Sequence, residues 1–257
     1  MRYFFHIGYN GSNYRGWQKL PQTSGENVQE IIELNLSKIL KSSVSIVGCG
    51  RTDTGVHADQ FFFHVDINKT WDYDLKFRMN KNLPDDIAVF DIIPVEDSRH
   101  ARFDATERTY RYLIHTQKAP HITNTSAYYP GENPDVKLVE RAVAMLTRYD
   151  DYSPFSKNIG PDRSTICKIK SASFDSNISG DRFTFQITAN RFLNGMIRII
   201  VHKLLLIGRH ELSLQEFEQH LVSKKKPAIN RLAHPQGLHL TKVVYPFLEI
   251  RSSSGGE

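Results

Sequence analysis

The sequence has few cysteines and no long uninterrupted hydrophobic run. Its two cysteines, Cys49 and Cys167, are too few for a disulfide framework or a four-cysteine metal site. The longest apolar stretch, residues 196–207, contains three basic side chains and therefore cannot span a bilayer. The first residues alternate as a strand does and show no leader pattern, so no signal peptide is predicted. We expect a reduced, cytoplasmic protein without a membrane segment.

The sequence motifs of common cofactor sites are also absent. The chain has no glycine-rich dinucleotide or phosphate loop and no zinc-ligand pattern, so neither a cofactor nor a metal is expected. It has a mild basic excess, with a formal net charge of +5 and a pI near 9.1. This charge is compatible with a nucleic-acid partner, although many ordinary enzymes share it. The length of 257 residues allows one large domain or two small ones.

Strand-like and helix-like segments alternate along most of the chain. The apolar spacing predicts strands over residues 2–9, 43–47, 61–67, 87–95, 106–115, 165–174, 182–189 and 238–244. It predicts helices over residues 28–40 (capped by Asn27), 73–83, 136–148 and 192–208. This order indicates an α+β fold of two sheet-based subdomains. The predicted segments are 1–104, 105–250 and a disordered tail, 251–257.

One loop carries most of the chemical information. Residues 49–60 read CGRTDTGVHADQ and lie between two predicted strands. Within this loop, Arg51 and Asp53 stand between two glycines, which allow a bulky ligand to approach the backbone closely. A carboxylate beside a positive charge is suited to act as a nucleophile, a general base or a metal ligand. A glycine-bounded turn with a surface ion pair is the alternative interpretation of these residues.

The same loop resembles the signature GRTDAGVHA of the tRNA pseudouridine synthase A (TruA) family, with Thr54 in place of alanine. Other segments are similar to family motifs and follow the family's order, so the resemblance covers essentially the whole chain. These segments are 9–11, 16–18, 79–87, 101–103, 108–112, 192–198 and 237–245. Besides Thr54, the positions that depart from the family pattern are Asn10, Asn194, Gly195, Ile199, His202 and the segments 23–27 and 149–162.

The resemblance implies two ferredoxin-like subdomains, each a mixed or antiparallel sheet with flanking helices, around a central RNA-binding cleft. It implies a cofactor-independent homodimer that isomerises uridine to pseudouridine at positions 38 to 40 of tRNA, in the anticodon arm. Asp53 is then the nucleophile and Arg198 its buried counter-ion. Tyr110 stacks on the uracil and moves a proton, while Arg51 holds the target base out of its stack. His57 is expected to order the loop and to bind substrate.

Other interpretations remain open at this point. The chain could act on a different RNA, or bind RNA without catalysis as a module or chaperone. Retention of Asp53 with its implied partners argues against RNA binding without catalysis, because binding alone requires no nucleophile. A metal-dependent hydrolase built on Asp53, His57 and Asp59 lacks a further ligand at metal-like spacing. The lysine run 224–226 is interpreted as a solvated helix end, with tRNA phosphate contact as the alternative.

Overall fold

The computed structural model describes residues 1–19, 26–131, 133–157, 164–223 and 230–248. Within them, the chain forms a mixed β-sheet flanked by helices, which confirms the α+β prediction. The strands are β1 (Arg2–Tyr9), β2 (Val47–Gly48), β3 (His57–Asp66), β4 (Ile87–Val95), β5 (Glu107–His115), β6 (Ala127–Tyr128), β7 (Ile169–Ser176), β8 (Arg182–Ala189) and β9 (Leu238–Val244). The helices are α1 (Val28–Leu40), α2 (Leu75–Asn82), α3 (Val136–Met145), α4 (Met196–Gly208) and α5 (Leu214–Val222).

The sheet joins the two halves of the chain through its central strands. Its order is β4-β1-β3-β9-β5-β8-β7, with β2 beside β3 and β6 beside β5. Along this order the neighbouring strands run antiparallel except β3 and β9, which pair in parallel with His57 opposite His239. The last strand therefore lies between N-terminal β3 and central β5. This arrangement brings the loop that precedes β3 close to β5.

Two hydrophobic clusters pack on this sheet. One is built mainly on α1, α2 and the strands β1 and β3, the other on α3, α4 and β8. Leu240 and Val243 of β9 belong to the first cluster although they come from the end of the chain. Tyr110 of β5 packs against both clusters. The division of the chain at residue 104 stays a prediction, since β9 contributes to the N-terminal cluster.

Helix α1 shows how the sequence sets the local structure. The side chain of Asn27 caps its first turn by accepting a hydrogen bond from the N–H of Glu30 at 3.2 Å. Val28, Ile32 and Leu36 recur at helical spacing and are fully buried. The predicted cap and the predicted apolar face are therefore both confirmed.

Helix α4 begins four residues later than predicted. Gly195 has a φ of +72°, a left-handed conformation that is incompatible with a right-handed α-helix. The helix therefore starts at the next residue, Met196. The segment 192–195 lines a cavity instead, and the carbonyl of Asn194 accepts a hydrogen bond from the N–H of Lys157 at 2.9 Å. The departure from the family pattern at 194–195 therefore shapes a turn at the start of this helix.

Some short elements differ from the prediction. The strand predicted over 43–47 is reduced to Val47–Gly48, and the strand predicted from residue 165 begins at Ile169. Helix α5 was absent from the prediction because its apolar face is short, although Ser213 and Glu216 form the reciprocal cap that signals a helix start. The lysine run 224–226 and the tail 251–257 lie outside the described residues. No helix in the described part of the chain is long and apolar enough to cross a membrane.

Candidate active site

A cavity of about 650 Å³ opens where the loop before β3 meets β5 and the start of α4. Among its described lining residues, Asp53 is the only acid, whereas five are arginines. The arginines are Arg51, Arg102, Arg108, Arg191 and Arg198. Positive charge concentrated in one cleft suits a polyanionic ligand such as RNA.

Asp53 and Arg198 meet in this cavity although they are 145 residues apart in the chain. Nη1 of Arg198 donates to Oδ2 of Asp53 at 3.0 Å. The Arg198 side chain is only 14% exposed, while the Asp53 side chain is 36% exposed. The carboxylate thus faces the cavity and is paired with a cation that is largely removed from water. The surface ion pair between Arg51 and Asp53 does not form.

The backbone after α5 holds the Arg198 side chain in place. Nε of Arg198 donates to the Ala233 carbonyl at 2.7 Å, and the Ala233 N–H donates to the Arg198 carbonyl at 3.0 Å. The carbonyl of the next residue, His234, accepts a hydrogen bond from the buried Tyr112 hydroxyl at 2.7 Å. Tyr112 therefore fixes the segment that orients the guanidinium towards Asp53.

The last residue of β1 and the segment after it support the loop that carries Asp53. The Tyr9 hydroxyl lies 2.9 Å from Oγ1 of Thr52, and the Trp17 N–H donates to the Thr52 carbonyl at 3.2 Å. Gly16 has a φ of +95°, and a Cβ on it would overlap the Thr52 carbonyl. Glycine is required there by both the backbone angle and the close approach. The family-like segments 9–11 and 16–18 thus position the loop.

Tyr110 lies on β5 and lines the same cavity. Its ring contacts Phe192 edge to face, with a centroid distance of 5.2 Å and an interplanar angle of 85°. Burial is the main cause that raises the pKa of the Tyr110 hydroxyl well above its usual value. The phenol therefore keeps its proton at neutral pH and can act as a hydrogen-bond donor.

Arg51 lies on the cavity wall with an exposed side chain. It makes no ion pair with any described residue, since the carboxylate two positions along pairs with Arg198 instead. A guanidinium presented in this way can stack on a base and bind phosphate at the same time. Arg51 is therefore available to a ligand in the cleft.

His57 lies outside this cleft, in a second cavity of about 300 Å³ that shares no lining residue with the first. It is 2% exposed, its Nδ1 accepts from the Gly11 N–H at 3.0 Å, and its Nε2 lies 3.2 Å from the Gln236 carbonyl. Burial and the neighbouring His239 lower the pKa of His57 to about 4. The expected substrate contact does not fit this position, because both ring nitrogens are engaged inside the fold. The expected role in ordering the loop does fit it.

Asp59 also lines the second cavity and not the first. Its two carboxylate oxygens lie 3.2 Å from Nδ1 of His239 and 3.2 Å from Nη2 of Arg111. Asp53, His57 and Asp59 therefore do not converge on one point, and the metal-hydrolase interpretation loses its ligand set. In the described part of the chain, no three His, Cys, Asp or Glu side chains are grouped so as to hold a metal ion.

Several cavity residues had no role in the sequence interpretation, and Arg108 is the most informative of them. Its guanidinium donates to four backbone carbonyls at 2.9–3.1 Å, those of Cys49, Arg102, Ala105 and Asn190. It thereby ties the loop before Asp53 to the turn before β5 and to the end of β8. Arg108 could have been predicted as a site residue only from its place at the start of a strand within a family-like segment. The other overlooked residues are Arg102, Phe103, Arg191 and Phe192.

Comparison with known proteins identifies the class to which this fold and site belong. The sequence profile described as tRNA pseudouridine synthase matches residues 7–104 and 142–246. The chain belongs to this family, which confirms the resemblance seen in its motifs, and it is therefore an isomerase of the pseudouridine synthase class.

Curated relatives extend the similarity over nearly the whole chain, and the following three are each named tRNA pseudouridine synthase A. The relative from Parabacteroides distasonis is 39% identical over 251 residues, which cover 95% of this chain and 96% of the relative. The relative from Porphyromonas gingivalis is 36% identical, with 95% and 97% covered. The relative from Thermoanaerobacter pseudethanolicus is 33% identical, with 93% and 97% covered.

Proposed function

We propose that this chain converts uridine to pseudouridine in the anticodon arm of tRNA, at positions 38 to 40, with Asp53 as the nucleophile. The observation that carries the proposal is the Asp53–Arg198 pair, whose carboxylate faces a cleft rich in arginine. Family membership supplies the reaction class, and the cleft supplies positive charge for an RNA backbone.

The reaction exchanges one bond to the ribose for another and involves no net oxidation. The bond from N1 of uracil to C1′ breaks and a bond from C5 to C1′ forms, while C5 loses a proton and N1 gains one. Asp53 attacks either the base or the sugar, and both routes require an ionised carboxylate. A carboxylate in a partly dry cleft requires a compensating charge. Arg198 provides it, and the Ala233 carbonyl holds its guanidinium in the required orientation.

Tyr110 is the residue proposed to contact the uracil ring. Its aromatic face offers a stacking surface for an unpaired base. Since burial keeps its hydroxyl protonated, the phenol donates a hydrogen bond to the uracil and can relay the proton that leaves C5. Its edge-to-face contact with Phe192 fixes the plane of the ring.

Arg51 is proposed to keep the target uridine outside the RNA helix. A base inside a stem must leave its stack before an enzyme can reach it, which costs roughly a few kcal/mol. The exposed guanidinium on the cleft wall can occupy the vacated stack and contact a phosphate. This role requires a side chain without an internal ion pair, as is observed for Arg51 among the described residues.

The protein is also proposed to act in the cytoplasm as a homodimer, with one tRNA lying across both subunits, as the family resemblance implies. Light scattering after size-exclusion chromatography tests the dimer directly. A mass of twice the 29.6 kDa chain is expected, and a monomer at micromolar concentration would contradict this part of the proposal.

Tritium release tests the reaction itself, because C5 of uracil loses its hydrogen during isomerisation. Purified protein is mixed with a tRNA transcript labelled with tritium at C5 of its uridines, and release into water is measured over time. We expect release from transcripts with uridine at positions 38 to 40, and none when those uridines are replaced by cytidine. Release that persists after the replacement indicates other uridines or another RNA, and no release from any tRNA contradicts the proposed activity. Pseudouridine mapping in a strain that lacks the protein provides the cellular counterpart.

A further inference from the structure

The cleft has an exposed aromatic ring at its edge that the proposed chemistry does not use. Phe103 lines the cavity and is 76% exposed, the largest value for an aromatic side chain in the described part of the chain. Single exposed apolar residues are common on protein surfaces and by themselves mean little. The case for Phe103 therefore depends on how its ring is held and on what surrounds it.

The Phe103 ring is supported from below by His100. The two rings are stacked, with centroids 4.2 Å apart and an interplanar angle of 29°. Nδ1 of His100 also accepts from the N–H groups of Arg102 and Phe103 at 3.1 and 3.3 Å. Asp104 closes the turn, because its Oδ2 accepts from the His100 N–H at 2.8 Å. One face of the phenylalanine ring is thus occupied, and the other is presented to solvent on a fixed turn.

The same turn is tied to the proposed catalytic loop. Nη2 of Arg108 donates to the Arg102 carbonyl and to the Cys49 carbonyl, each at 2.9 Å. Cys49 begins the loop that carries Asp53. The Tyr245 hydroxyl adds a second anchor, since it donates to the Ala101 carbonyl at 2.5 Å. The distance from the Phe103 ring to the nucleophile is therefore set by the protein and not by the ligand.

We propose that Phe103 is a stacking platform for an unpaired nucleobase that neighbours the target uridine in the substrate RNA. This inference rests on the proposed function and adds to it the position of a second base. An aromatic face beside arginines is the usual surface on which single-stranded nucleic acid stacks. Phe103 lies in such a setting, because five arginines line the same cavity. The target base occupies the interior at Asp53 and Tyr110, whereas Phe103 at the exposed edge receives the neighbouring base.

The proposal is tested by measuring binding of an RNA hairpin that carries the anticodon stem and loop of a substrate tRNA. The measurements use the Asp53→Asn background, so that no turnover occurs, at fixed salt. Phe103→Ala should weaken binding roughly 5- to 100-fold, the range that loss of one base–aromatic stack produces. Phe103→Trp should restore binding to within about threefold of the parent, because an indole also offers a stacking face. The slope of log K against log salt should stay unchanged, because phenylalanine neutralises no phosphate.

Phe77 provides the matched control. It is 58% exposed on α2 and does not line the cleft. Phe77→Ala should bind like the parent protein, and Phe103→Ala binding within twofold of Phe77→Ala overturns the proposal. Both rings are exposed, so neither truncation opens the hydrophobic core, and equal melting temperatures verify that the variants are folded.

Abasic hairpins identify the base that stacks. Each unpaired nucleotide is replaced in turn by an abasic one, and the Phe103→Ala penalty is measured again. One position should remove the penalty, as expected when both partners of a single contact are deleted. A penalty that persists at every position overturns the stacking assignment. Tritium release by the wild-type protein judges the proposed reaction separately, so a failure of the platform and a failure of the reaction are distinguishable.

Discussion

The cleft around Asp53 and the second cavity each hold an aspartate paired with an arginine, yet their surroundings differ in charge. Asp53 lies 3.0 Å from Arg198, and Asp59 lies 3.2 Å from Arg111. The two carboxylate side chains are exposed to a similar extent, 36% and 44%. Ion pairing and exposure therefore do not distinguish the proposed nucleophile, Asp53, from Asp59.

The charges on the walls of the two cavities do distinguish the two aspartates. The cleft around Asp53 contains five arginines, whereas the described lining of the second cavity contains Asp59, Asp85 and Asp86 and no lysine or arginine. RNA phosphates are attracted to the first surface and repelled by the second. We therefore expect these two aspartates, six positions apart in one motif, to have different roles, because the loop before β3 faces the cleft while Asp59 faces the other cavity.

The largest expected effect comes from a comparison of substitutions at these two aspartates. Asp53→Asn should reduce tritium release by at least about 10³-fold, because it removes the proposed nucleophile without changing side-chain size. tRNA affinity should stay nearly unchanged, since it depends mainly on phosphate contacts. Asp59→Asn should keep release within about threefold of wild type. Comparable losses in the two variants under single turnover would abolish the distinction between the cavities.

The next effect concerns Tyr110, the group that is proposed to move a proton in the cleft. Tyr110→Phe keeps the ring and its contact with Phe192 but removes the hydroxyl. Turnover should fall about 100-fold if the phenol takes part in proton transfer, with little change in RNA affinity. Single-turnover rates and binding constants measured on one hairpin separate the two quantities. A near wild-type rate would mean that Tyr110 serves only as a stacking surface.

A smaller effect tests what Arg51 does for the target base. Arg51→Ala should lose about tenfold more activity on a uridine paired in the anticodon stem than on one at the stem–loop junction, because only the paired base must be pulled from its stack. Two tRNAs that differ only in the target position are compared under single turnover at fixed salt. If both lose activity equally, Arg51 orders the loop around Asp53 and has no part in base extrusion.

The sequence predicts the regular parts of this fold well because their signals are local. The strands Ile87–Val95, Arg182–Ala189 and Leu238–Val244 have the predicted limits, since turn residues bound each of their apolar runs. The alternation of Tyr3, Phe5, Ile7 and Tyr9 along the strand Arg2–Tyr9 predicts burial of one face only. Phe4, on its other face, is also fully buried, because Tyr245 and Phe247 from the end of the chain cover it. Contacts with residues so distant in the chain leave no local sequence pattern from which this burial could be predicted.

The candidate site was predictable only as far as motif and family resemblance reach. Asp53 and Arg198 were paired from the family pattern, and their side chains do meet at 3.0 Å, while their roles stay predictions. The position of His57 was not predictable, because which way a residue at the start of a strand faces depends on the strand's register with β9. The turn over residues 100–104, which carries Phe103, was also not predicted as part of the site. Its position depends on hydrogen bonds from Arg108 that link it to the loop before Asp53, and no local pattern signals them.

The smallest effect concerns the second cavity and its neutral histidine. The pKa of His57 is lowered to about 4 by burial and by the neighbouring His239, with Asp59 opposing the shift. Between about pH 6.5 and pH 4 the unfolded chain binds a proton at this position and the folded chain does not. The free energy of unfolding therefore falls as the pH drops through this window, with a contribution from His57 on the order of 1–3 kcal/mol. The pKa of His64 is also lowered to about 4, mainly by burial, so His64 adds a similar contribution to the free energy of unfolding.

His57→Asn isolates the contribution of this histidine, because asparagine does not titrate and offers an acceptor oxygen near the place of Nδ1, which binds the Gly11 N–H. Urea unfolding at pH 7 and pH 4.5 should show a smaller difference in stability for His57→Asn than for wild type, and a smaller one again for the His57→Asn, His64→Asn double variant. Tritium release at pH 7 should change by less than about tenfold, since His57 is proposed to order the loop and lies outside the cleft. A loss of tritium release as large as that of Asp53→Asn, with stability unchanged, would contradict this role and would mean that His57 takes part in the reaction.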